Sequence, residues 1–232
     1  MPDTDSRSKV ISLSAVVILI GMLASGPLGS YITQLLSPQP PWTDVQTYID
    51  HYTEVQSVPF YFGFLLMFGF IMFFSSLPIP KTDWQEINGK MVLLFASIYT
   101  FMISMNYMIQ IAFLPNVLNY PKVAELIAVL NARSIFWYIE MTGYGFLGCA
   151  TWSAGYLFEN RGKQKVIRLL CIWNGLISIA GSVLTFVFKG WVLTVPGLIC
   201  YLLWNILVMI MMLYIIREYR FGRMNARVES LP

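Results

Sequence analysis

Residues 191–216 read WVLTVPGLICYLLWNILVMIMMLYII, a run without a single acidic or basic side chain. At 1.5 Å of rise per residue, about 20 residues of helix cross the hydrocarbon core of a bilayer. This run is long enough to do so. Lipid supplies no water to unpaired backbone groups, so a spanning segment of this kind must close its hydrogen bonds within itself, as a helix does. The alternation of a β-barrel strand is missing.

Working outward from that run, five more segments have the same character: Val10–Leu36, Val58–Pro80, Met91–Pro115, Ser134–Phe158 and Val166–Phe188. The chain has 232 residues, 57% of them hydrophobic and only 12% charged, with a mean hydropathy of +0.64. Soluble domains carry about 25% charged residues. The fold class that follows is an all-α integral membrane protein, a bundle of six transmembrane helices. Residues 1–9 form a short segment before the first span, residues 10–216 one membrane domain, and residues 217–232 a basic tail.

Lysine and arginine set the expected orientation. Twelve of the fifteen fall at one end, before span 1, between spans 2 and 3 and spans 4 and 5, and after span 6; Lys122, Arg133 and Lys189 lie at the other. Both termini are therefore expected in the cytoplasm, with the chain in the plasma (inner) membrane. Arg7 and Lys9 ahead of VISLSAVVILIGMLASG also have the plan of a cleavable signal. Because the apolar character continues through PLGSYITQLL to Leu36, a retained span is expected. The tail residues Arg217, Arg220 and Arg223 could meet anionic lipid, although the same orientation bias would place them there without any such contact.

Two connections at the outer end have the pattern of short surface helices. In PPWTDVQTYIDHYTEVQSVP, Thr43 and Gln46 have capping-box spacing, and Val45, Tyr48, Ile49 and Tyr52 recur at i, i+3, i+4 and i+7. In NYPKVAELIAVLNARS, Val123, Leu126, Ile127 and Leu130 share that spacing, and Pro121 suits a first helical position. Each helix is expected to lie flat, apolar side down.

Inward faces of membrane helices are marked by small and polar residues. Span 1 aligns Ser14, Gly21 and Ser25; span 3, Tyr99, Asn106 and Gln110; span 4, Arg133, Glu140, Tyr144 and Thr151. Span 5 aligns Cys171, Asn174, Ser178, Gly181 and Thr185; span 6, Thr194, Tyr201 and Asn205. Span 2, FYFGFLLMFGFIMFF, is aromatic all around and is expected to face lipid over most of its surface or to wall a greasy cavity. Asn174 and Asn205 fit a structural role as interhelical glue, worth about 0.6 kcal/mol per bond.

Glu140 is the one carboxylate inside any span. It should lie on the order of 8 Å below the outer surface, level with Gln110 and Asn106 on span 3. An acid at membrane depth costs about 2.5–3.5 kcal/mol at mid-span and less near the surface. It either fixes helix register through hydrogen bonds or binds a cation, amine or proton. Arg133 is two turns away; Lys189, at the end of span 5, is the better candidate cationic partner. Trp137, Tyr144 and Tyr107 nearby suit a partly apolar ligand or a cation over a ring. The candidate ligand set is thus Glu140, Gln110, Asn106, Tyr144 and Trp137.

Several chemistries are excluded. There is no phosphate-binding G-x-x-x-x-G-K-[ST] loop. One histidine, His51, cannot supply paired haem ligands or a zinc site, and beside Asp50 and Glu54 it reads as a solvated surface residue. Cys149, Cys171 and Cys200 lack redox or metal spacing. No cofactor, metal or nucleic acid is expected. Three functions stay open: binding or transport of a small amphipathic or cationic ligand, a membrane-embedded enzyme on a lipid or isoprenoid with Glu140 as general acid, and a non-catalytic subunit of a membrane complex. An enclosed cavity holding Glu140 would favour the first two, and polar stripes facing sideways the third.

Overall fold

A computed structural model describes residues 4–221 except Ile79 and Lys189. Among the described residues the chain is all-helical: α1 (Thr4–Ser25), α2 (Pro27–Leu36), α3 (Val45–Asp50), α4 (Val58–Ser75), α5 (Asp83–Met108), α6 (Pro121–Ile127), α7 (Ile135–Gly155), α8 (Gly162–Val187) and α9 (Val195–Ile216). Five stretches are long and apolar enough to cross a membrane: Ser6–Leu36, Glu54–Ser75, Asp83–Val117, Gly162–Val187 and Val195–Arg220. The protein is an integral membrane protein. The sixth long helix, α7, has 21 residues but is diluted by Glu140, Thr142, Thr151, Ser153 and four glycines. It packs between α5 and α8, so its polar groups have protein for neighbours.

The long helices pack in chain order, α1 on α4, α4 on α5, α5 on α7, α7 on α8 and α8 on α9, and α9 closes the ring against α1. Glycines set the closest approaches. A Cβ on Gly21 of α1 would strike the backbone of Leu66 on α4, and one on Gly69 would meet Ile18. Of the two places expected for span 2, the packing favours a wall of the interior over a face mostly on lipid. Gly63, Leu66, Met67, Gly69, Phe70, Phe73 and Phe74 are buried, and Tyr61, Phe62 and Phe68 point outward. Small residues on one side of an aromatic helix let its neighbours come close enough to cover the large ones.

Span 1 is broken. Pro27 carries no N–H and its ring conflicts with a continuing helix, so α1 ends at Ser25 and α2 restarts after Gly26. None of the ten residues of α2 is buried. Pro115 acts similarly on span 3, where the backbone ahead of it widens into a π-turn at Ile109–Phe113. Such turns are frequent at functional positions.

One end of the ring carries a roof. Its core is Tyr48, Leu114, Ala124, Ile127 and Ala128, with Trp42, Val45, Ile49 and Tyr52 packed against them. The apolar face of the first surface helix is as expected, but its cap is one residue later. Asp44 is the N-cap and accepts from the Thr47 N–H at 2.9 Å, while Thr43 only donates to Asp44. An aspartate carboxylate is the stronger acceptor for that amide. The second surface helix turns a different face inward: Ala124, Ile127 and Ala128 are buried, and Val123, Leu126 and Leu130 are exposed. After seven residues the chain leaves helical geometry at Ala128, and the small alanines approach Tyr48 more closely than leucines could. His51 is exposed and its Nδ1 donates to the Thr47 carbonyl at 2.9 Å, in keeping with a surface residue.

The opposite end is basic. Glu159 accepts from Lys81 at 2.8 Å and from Arg161 at 2.7 Å, and Lys163 pairs with Glu218 at 3.3 Å. Arg168 lies over the Tyr156 ring, 5.0 Å from its centre. Hydrogen bonds from Lys81 and then Arg161 pull the Glu159 carboxyl down from 4.5 to about 2. A carboxylate whose pKa is lowered by folding stabilises the fold above its unfolded pKa and loses that effect as pH falls to the folded value. The difference in melting temperature between the wild type and Glu159→Gln should therefore be constant above about pH 5 and vanish near pH 2. It should be small and salt-sensitive, because these groups face water. Thermal melts across that range check it.

Candidate functional site

Glu140 projects from the second turn of α7 and sits at the centre of a hydrogen-bonded chain. Its Oε2 accepts from Asn106 Nδ2 at 3.1 Å and its Oε1 from the Tyr107 hydroxyl at 3.4 Å. With the Tyr107 proton so used, Tyr144 donates to the Tyr107 oxygen at 3.1 Å. On the other side Asn106 Oδ1 accepts from Gln110 Nε2 at 3.4 Å.

Gln110 links this chain to the roof. Within the π-turn its amide donates to the Ile127 carbonyl at 2.8 Å and accepts from the Val129 N–H at 3.1 Å. Both roof groups lie where the chain leaves α6, so they have no helical partner. Asn106 and Gln110 are almost fully buried. Gly63 makes room for the arrangement, since a Cβ there would land on the Tyr107 ring. Phe60 and Phe64 flank that ring with centroids 5.4 and 5.9 Å away.

Glu140, Tyr107, Tyr144, Gln110 and Phe60 line a partly open cavity of about 510 Å³ within the ring. All six spans contribute to its lining. Trp137, Glu140 and Tyr144 come from α7, Tyr107 and Gln110 from span 3, and Trp204 from α9. Tyr144 and Trp204 meet edge to face at 5.6 Å, and Ser178 on α8 donates to the Tyr144 carbonyl at 2.7 Å. Glu140 is only partly buried, and the cavity is what it is open to. Among the described residues none of the ion pairs involves it. A carboxylate in such a site, served among the described residues by neutral donors, favours a proton or a cation as a further partner.

The structure therefore brings Glu140, Gln110, Tyr144 and Trp137 to one cavity, with Asn106 buried behind them and bonded to Glu140 and Gln110. Arg133 stands apart: it precedes the Ser134 N-cap of α7 and is exposed. Lys189 lies outside the described residues, as do Arg223 and Arg227. Asn174 reaches across to α9, donating to the Trp204 carbonyl at 3.5 Å, whereas Asn205 donates to Tyr201 of its own helix at 2.8 Å. The two asparagines do not pair with each other. No group of histidine, cysteine, aspartate and glutamate among the described residues could hold a metal ion.

Sequence reasoning missed the contribution of α2. Ser30, Thr33 and Gln34 line the cavity, and with Ser37 they recur at i, i+3, i+4 and i+7, a polar stripe on an otherwise apolar helix. No family model, curated protein or solved structure matches this chain.

Proposed function

We propose that this protein binds, and in the membrane carries or presents, a small amphipathic cation held at Glu140. The observation that supports it is a carboxylate facing a largely apolar cavity with several aromatic side chains in its wall, its hydrogen-bond donors among the described residues all being neutral. A ligand cation would complete the charge balance, and the faces of Trp137, Tyr144 and Trp204 would stabilise it further. The cavity falls within the roughly 300–1,000 Å³ of small-molecule sites. Polar stripes that meet inside the ring weigh against the reading as a subunit that turns them towards a partner.

In this reading the basic end faces the cytoplasm with both termini, in a plasma or inner membrane, and the roof faces outward. Arg217 and Arg220 would then meet anionic headgroups, joined by Arg223. Native mass spectrometry of protein extracted in mild detergent tests the function. We expect a bound single-chain amine that added dodecylamine displaces. A protein that carries only phospholipid and takes up no dodecylamine would contradict the reading.

A further inference from the structure

We infer that the cavity is loaded sideways, from the membrane leaflet, through a mouth between α2 and α9, and that its ligand is a single-chain lipid with a primary amine. This rests on the Glu140 cavity reading above. The exposed residues of the cavity wall mark the mouth. On one side are Ser30 and Gln34 of α2; on the other are Leu193, Leu198 and Tyr201, with Leu130 at the roof edge. The packing explains the gap. After the Pro27 break α2 leans on α4 and on the 3-10 turn Glu54–Ser57, whereas α9 packs on α1, α8 and the turn Trp191–Leu193.

Both lips of the mouth are greasy on the outside. Leu28, Ile32, Leu35 and Leu36 of α2 are exposed, as are Val195, Ile199 and Leu202 of α9. In a membrane protein such surfaces face acyl chains, so the mouth opens towards lipid. The end of the ring is closed instead. The roof core covers it, Gln110 ties that roof to span 3, and the Ser37 and Thr53 hydroxyls join at 2.6 Å across the start of the loop.

The polar lining selects the head group. Asn205 is buried and lines the cavity. Its Nδ2 is committed to Tyr201, and its Oδ1 has no hydrogen-bond partner. An unpaired acceptor and a carboxylate on one cavity call for a cation that has N–H groups to give, which a primary ammonium has and a quaternary one lacks. At about 30 Å³ per water-sized group, the space holds roughly 17 such groups. That admits a head and part of one chain, the rest trailing through the mouth, and cannot enclose both chains of a phospholipid.

The test uses the full chain in phospholipid vesicles with radiolabelled octadecylamine, which stays in the bilayer, and phenethylamine, which is delivered from water. Ser30→Trp and Leu198→Trp, both at exposed positions, narrow the mouth; Leu35→Trp, on the outer face of α2, is the control. We expect octadecylamine to bind saturably and more tightly than its trimethylammonium counterpart. Either mouth variant should slow its exchange about tenfold or more, through gating of access, and the control should not. If the mouth variants exchange at the wild-type rate while Glu140→Gln weakens binding about 30-fold, side entry is wrong and the cavity reading stands. The same holds if phenethylamine binds and octadecylamine does not. If neither amine binds the wild type, both fall.

Discussion

Replacing Gly175 with valine is expected to cost about 3 kcal/mol, at the upper end of the usual range for overpacking. The reason is the α7–α8 contact. A Cβ at Gly175 would sit 2.6 Å from the Gly148 carbonyl oxygen and 2.8 Å from the Trp152 nitrogen, both backbone atoms that no rotamer change can move. Gly148 faces the same seam, and a Cβ there would sit 2.8 Å from the Gly175 oxygen. Separating the two helices would also displace Ser178 from the Tyr144 carbonyl and loosen the helix that holds Glu140. In a thermal melt this should appear as a fall on the order of 10 °C. Gly89→Ala is the contrast: its nearest neighbour would be Pro80 at 3.5 Å, and removing a helix-interior glycine should leave the melting point level or raise it. A Gly175→Val protein that melts with the wild type would mean that α7 and α8 are not in close contact.

The second large effect belongs to Glu140→Gln, and it should separate binding from stability. Gln keeps an acceptor for Asn106, and its NH2 can donate to the Tyr107 oxygen once that hydroxyl turns to Tyr144, but it cannot neutralise a cation. Losing one charged hydrogen bond of about 2 kcal/mol corresponds to roughly a 30-fold weaker dissociation constant for dodecylamine. The empty protein should be no less stable, because the cost of holding a desolvated charge goes with the charge. Isothermal titration and melts on the same preparations check both halves. A variant that unfolds more easily and binds as before would assign Glu140 to helix register alone.

Much of this was legible in the sequence because membrane helices announce themselves. The apolar runs located the spans, and the 3.6-residue stripes placed Asn106, Gln110, Glu140, Tyr144, Asn174 and Ser178 on inward faces. The pattern on α4 left two places open, since aromatic side chains report affinity for lipid and for protein core alike. Only the glycines at 63 and 69 distinguished the two, and their weight depends on what stands opposite. The roof was harder: whether Thr43 or Asp44 caps α3, and which face of α6 turns down, depend on tertiary contacts with Tyr48 and Gln110 that a short segment does not encode. The α2 stripe of Ser30, Thr33 and Gln34 was present all along. A single helical phase run through the Gly26–Pro27 break hides it, because the helix restarts there.

Six helices surround a cavity into which Glu140 opens, and among the described residues no cation pairs with it. A cryo-electron microscopy map of the protein in lipid nanodiscs containing octadecylamine tests that arrangement most directly. We expect elongated density that begins beside Glu140 and runs out between α2 and α9. A map in which side chains fill the interior, with the Glu140 carboxylate turned towards acyl chains, would contradict the account.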